Sequence, residues 1–118
     1  MSEREGVEPD DVLRAVLALP GVELREHASS VGVRVRGKGF AYLAEEQRFL
    51  MVKATRDEQD ALVAADPDVY SRSHTSGRFG WVGVRLPGAR ADEVVELLTE
   101  AWRLTAPKRL ADGYGVPS

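Results

Sequence analysis

At 118 residues the chain has the length of one domain and can bury a core without a disulfide or a metal staple. It contains no cysteine, which excludes a disulfide framework, a thiolate metal site and a cysteine nucleophile. A charged fraction of 30% with a net charge of −3 argues against tight, indiscriminate polyphosphate binding over the whole surface, and no apolar run reaches membrane-spanning length.

The segment PDDVLRAVLALPGV predicts a first helix. Pro9 suits the first turn, Asp10 and Asp11 suit the positive end of the dipole, and Pro20-Gly21 ends it. Val12, Leu13, Val16 and Leu17 recur at helical spacing and form its apolar face. Four strands follow, over 22–28, 31–37, 39–45 and 48–54, joined by turns short enough to require antiparallel hairpins. Thr55 with Glu58 fits a capping box at the start of a second helix, with Ala61, Leu62 and Ala65 as its stripe. After Asp66-Pro67-Asp68 come a short extended piece at Val69-Tyr70, a polar loop, and a strand over 78–86. Pro87-Gly88 then leads into a last helix with Val94, Val95, Leu98, Ala101 and Trp102 buried, ended or kinked at Pro107. The opening MSEREGVEPDD lacks an apolar signal segment, so the expected location is the cytoplasm. Residues 1–8 and 112–118 read as loose tails of a single domain spanning 1–118. The order α-β-β-β-β-α-β-β-α is an α+β class: an antiparallel sheet of five to six strands with three helices.

Turn positions imply a register. A two-residue loop at Gly37-Lys38 sets Val35 opposite Phe40 and Val33 opposite Tyr42. A loop at Glu46-Gln47 sets Ala44 opposite Phe49 and Tyr42 opposite Met51. One sheet face then carries Val33, Val35, Phe40, Tyr42, Phe49 and Met51, and the other carries Ala41, Leu43, Leu50 and Val52. Both faces are apolar at the centre. Either the helices and the tail cover both, or a partner or ligand covers one. In the late strand Gly80, Val82, Val84 and Leu86 share one side, while Phe79, Trp81, Gly83 and Arg85 share the other. Gly80 and Gly83 inside a strand imply a bend or the close approach of another group.

Catalytic chemistry finds little support. His74 has no acid within its segment, and His27 lies far off in sequence, so neither a general base nor a metal site is evident. Ser71, Ser73, Thr75 and Ser76 read as turn formers. No nucleophile elbow or phosphate-cradling glycine loop is present. The expectation is a non-enzymatic protein with no cofactor and no metal. What stands out is positive charge near two hairpins: Arg34, Arg36 and Lys38 at one, Arg72, Arg78 and Arg85 at the other.

The ordered set ALPGVE, VRVRGKGFAYL, LMVKA, DPDVY, GWVGVRL and ELLTEAWRLTAPKRL resembles the MmcQ/YjbR-like family over roughly residues 10–110. The resemblance implies a compact α+β domain related to secretion-chaperone-like folds, and the "double wing" DNA-binding label that the family often carries. It carries no enzymatic residues. Lys38, His74 and Trp81 stand where the family's recurring Gly-Lys-x-Phe and His…Trp elements fall. Two functional expectations follow. One is weak, low-specificity binding of DNA or another nucleic acid through Arg36, Lys38, Arg72, Arg78 and Arg85. The other is a protein partner or homodimer seated on an apolar face formed by Phe40, Tyr42, Met51 and Trp81. No membrane association is expected.

Overall fold

The computed structural model describes residues 6–113. Helix α1 (Pro9–Leu17) leads into strands β1 (Val22–Glu26), β2 (Val31–Val35), β3 (Lys38–Ala44) and β4 (Phe49–Thr55). Helix α2 (Arg56–Ala65), strands β5 (Tyr70–Ser76) and β6 (Phe79–Arg85), a 3-10 turn at Leu86–Gly88, and helices α3 (Ala91–Thr105) and α4 (Lys108–Gly113) complete the chain. All six strands form one antiparallel sheet in the order β1-β2-β3-β4-β6-β5. The expected α+β architecture and element order are those observed, with α4 added after Pro107.

The helices pack on one side of this sheet. Leu43, Leu50, Val52, Val82 and Val84 point into the buried layer, where Val94, Leu98, Ala101 and Trp102 of α3 meet them. Burial of this apolar layer is the main driving force of the fold. Trp102 is fully buried and donates its indole Nε1–H to the Pro20 carbonyl at 2.9 Å, tying α3 to the chain beyond α1. Each helix rotates slightly from its expected face. Leu19 and Leu97 are buried where Leu17 and Val95 stay exposed, and α2 presents Gln59, Leu62 and Val63 to the interior rather than Ala61 and Ala65.

The β3–β4 register is the expected one, with Tyr42 opposite Met51 and Ala44 opposite Phe49. The β2–β3 register is not. The turn there is Arg36-Gly37, both at positive φ (51° and 83°), which pairs Val35 with Lys38. A bulge then leaves Phe40 as the extra residue, so that Val33 faces Ala41 instead of Tyr42. A one-residue slip exchanges sheet faces. Val33, Val35 and Phe40 therefore belong to the helix-covered core and are fully buried. Phe40 is thus removed from the expected interaction face.

The stretch expected as a polar loop after Tyr70 is strand β5. It lies at the sheet edge with Ser71 to Ser76 exposed, so it has no apolar alternation to announce it. Gly77, at φ 61°, opens the two-residue turn into β6. The start of the described chain is not loose. Val7 is buried, and the amides of Gly6 and Val7 donate to the carbonyls of Ala89 and Leu86 at 2.9 Å each. Of the expected tails at 1–8 and 112–118, residues 1–5 and 114–118 lie outside the described residues, and Asp112 and Gly113 belong to α4. No helix among the described residues is long and apolar enough to cross a membrane.

Candidate ligand surface on the open sheet face

The second sheet face carries no helix among the described residues, and alternation assigns its side chains: Tyr42 and Ala44 from β3, Phe49, Met51 and Lys53 from β4, Phe79, Trp81, Gly83 and Arg85 from β6. The expected alternation of the late strand is observed in full. Glycines make room for the rings. A Cβ at Gly83 would stand 2.5 Å from Phe49 Cζ, and one at Gly39 would stand 2.8 Å from the Tyr42 hydroxyl.

A row of rings crosses the strands. The β5–β6 ladder slips at Ser73 and pairs His74 with Trp81. Their rings stack with centroids 5.5 Å apart and planes 9° apart. Tyr42 approaches Trp81 from the other side, at 5.7 Å and a 36° tilt. The bulged Ser73 places its Oγ 3.0 Å from Met51 Sδ and 3.1 Å from His74 Nδ1. From the helix side, buried Gln59 donates its Nε2 to the carbonyls of Trp81 (2.9 Å) and His74 (3.2 Å). It thereby supplies a side-chain donor to two carbonyls beside the slipped ladder. Gln59 occupies the space above Gly80, where a Cβ would fall 2.7 Å from its Cδ.

Cations surround these rings. Lys53 Nζ lies 4.2 Å from the centroid of the Phe79 ring, and the Arg78 guanidinium lies 5.5 Å from it. Partial burial, reinforced by the charges of Lys38 and then Arg78, holds the Lys53 ammonium below the ordinary lysine pKa. Arg25 and Arg34 extend the same face toward β1, and Arg85 closes it beside Phe49. Glu23, opposite Arg34, is the acid among the strand residues of this face. Among the described residues no carboxylate lies within ion-pair distance of Arg25, Arg34, Lys38, Lys53, Arg78 or Arg85.

A cluster of acids sits on the opposite layer. Helices α2 and α3 carry Asp57, Glu58, Asp60, Glu93, Glu96 and Glu100. Several line a groove of about 520 Å³ with Tyr70 and Arg90. Burial, then the charges of Glu100 and Glu96, raise the Glu58 carboxyl above its ordinary pKa. Tyr70 donates its hydroxyl to Glu93 Oε1 at 2.9 Å, and burial with that carboxylate pushes its pKa far up. The net charge of −3 therefore conceals a molecule divided into an acidic helical layer and a basic sheet face.

Of the five cations singled out in the sequence, Arg85 lies on the open face, Arg78 lies in the turn beside Phe79, and Lys38, paired with buried Val35, lies at the sheet end close enough for its charge to act on Lys53. Arg72 turns to the helix side and pairs with Asp60 and the Gln59 side-chain carbonyl. Arg36 sits beside Pro107, Arg109 and Leu110 at the start of α4. Tyr42, Met51 and Trp81 lie on the open face. Lys53 is absent from the sequence-derived set, although its two-residue spacing from Met51 puts it on that same side. His74 and Trp81, separate in sequence, are direct cross-strand partners because 71–76 is a strand. Among the described residues, no group of three His, Asp or Glu side chains is arranged to hold a metal ion.

A family model described as YjbR matches residues 17–104. The chain belongs to the YjbR family. The match runs from the end of α1 to the end of α3, so every ring and cation of the open face lies inside the YjbR domain. The crystal structure of Deinococcus radiodurans protein DR2400, which has a DUF419 domain, superposes with a TM-score of 0.76 at 21% identity. The superposition covers 93% of this chain and 89% of that one, which establishes a shared fold. Comparison with curated proteins finds no match.

Proposed function

We propose that this YjbR domain is a cytoplasmic, non-enzymatic nucleic-acid-binding protein of low affinity and low sequence specificity. Its contact surface is the open sheet face, with Lys38, Lys53, Arg78 and Arg85 on phosphates. One observation carries the reading: cations without carboxylate partners among the described residues gather beside the rings of the open face, while a cluster of acids occupies the helical layer. Mutually repelling cations on an uncovered face gain by meeting a polyanion. Among the described residues no helix stands on this face to enter a major groove, so base-edge readout is poor and specificity low. The expected DNA-contacting set is revised accordingly, with Lys53 replacing Arg36 and Arg72.

Fluorescence anisotropy with labelled DNA and RNA across a salt series tests the reading. Four phosphate contacts give a log–log slope of about −3 to −4. Absence of binding to every nucleic acid at low salt rejects it.

The apolar part of the face supports a second occupant, a protein chain, but a second copy fits poorly. An isologous dimer through this face would bring two copies of the same cationic patch, with Lys53, Arg78 and Arg85, together. Sedimentation showing a concentration-dependent dimer would instead assign the face to self-association.

A further inference from the structure

We infer that the polyanion is a single strand, whose unpaired bases stack on His74 and Tyr42 at the two ends of the ring row. This rests on the nucleic-acid reading above and adds the class of strand and the mode of contact. The ring row crosses β3, β4, β6 and β5 with centroid steps of 5.7 Å from Tyr42 to Trp81 and 5.5 Å from Trp81 to His74, which leaves room for a base at each end. Trp81 is only 9% exposed and sandwiched, so it serves as the wall against which the outer rings are held. Its position is set by the Gln59 hydrogen bond from behind. His74 is exposed and Tyr42 half-exposed, so both keep ring surface for a ligand. A duplex hides its bases in its own stack and has no use for rings on a sheet. A single strand offers both π-faces and phosphates, matching a ring row flanked by Lys53 and Arg78 toward Phe79 and by Arg85 toward Phe49.

The test compares anisotropy titrations of the intact protein with oligothymidine and oligouridine of about 12 nucleotides, within the usual site size for such platforms, and with a duplex of equal length. One of the single strands should bind at least about tenfold more tightly than the duplex, and the pair of homopolymers distinguishes DNA from RNA. His74→Ala and Tyr42→Leu should each weaken single-strand binding by about 5- to 100-fold, with the salt slope and the duplex affinity unchanged. His74 is exposed, so its variant reports even where Tyr42→Leu folds poorly. Equal affinity for single strand and duplex, or single-strand affinity indifferent to His74→Ala, overturns the inference while salt-dependent binding leaves the nucleic-acid reading standing. Binding to neither form removes both.

Discussion

Gln59 of α2 reaches the sheet and donates to the carbonyl of Trp81 at 2.9 Å, so the acidic helical layer holds the central ring of the basic face from behind. This contact links the two halves of the molecule, and it exists only because residue 80 is glycine.

Removing either member should disturb the same joint. Gln59→Ala removes the donor to the His74 and Trp81 carbonyls and one of the acceptors of Arg72, at a cost of about 1–3 kcal/mol. Gly80→Ala forces a methyl group against the Gln59 side chain and costs a similar amount, about 1–3 kcal/mol. Because both act on one contact, the double variant should lose less than the sum. Urea unfolding of the four proteins measures this coupling, and strict additivity would show that the joint is not shared.

Glu58 predicts a pH dependence of stability. Its carboxyl is raised in the folded state by burial and by Glu100 and Glu96, so the fold disfavours its ionised form. That effect is absent below the ordinary glutamate value of 4.5 and grows as pH rises through the folded-state titration. Glu58→Gln should therefore raise Tm at pH 7, with the gain vanishing at acid pH. Melting curves from pH 3 to pH 8 check the sign. A gain that is constant with pH would place the cause elsewhere.

Lys53 should show a trade between stability and binding. Its ammonium is disfavoured in the folded state by partial burial and by Lys38 and Arg78, a cost fully present at neutral pH and relieved only as alkaline pH removes the proton. Lys53→Met keeps the stem over Phe79 and removes the charge. Calorimetry should find it as stable as the parent or slightly more so at pH 7, and anisotropy should find its salt slope smaller by about one phosphate. Marked destabilisation would mean that the cation–π contact outweighs the repulsion.

Strands buried on one side declared themselves; edges, bulges and polar joints did not. The β3–β4 pairing and the two sides of β6 follow from alternation, because each has a row of large apolar residues to align. The β2–β3 pairing does not, because Gly37 accommodates a loop starting at residue 36 as readily as one starting at 37. The bulge at Phe40 leaves no composition signal. Strand β5 has nothing to bury after Tyr70, so its serines read as turn formers. Gln59 is invisible for a related reason: a glutamine on a charged helix signals burial only once the slipped ladder needs a donor. The same hidden strand kept His74 and Trp81 apart, and with them the ring row. Lys53 was within reach of simple alternation.

Amide chemical-shift mapping on titration with a short oligothymidine tests most directly whether the open sheet face is the ligand surface. The largest shifts should fall on Tyr42, Lys53, His74, Phe79 and Trp81, with the outer faces of α2 and α3 silent. Shifts centred on the acidic groove around Glu58 and Glu93, or no shifts at any residue, would contradict it.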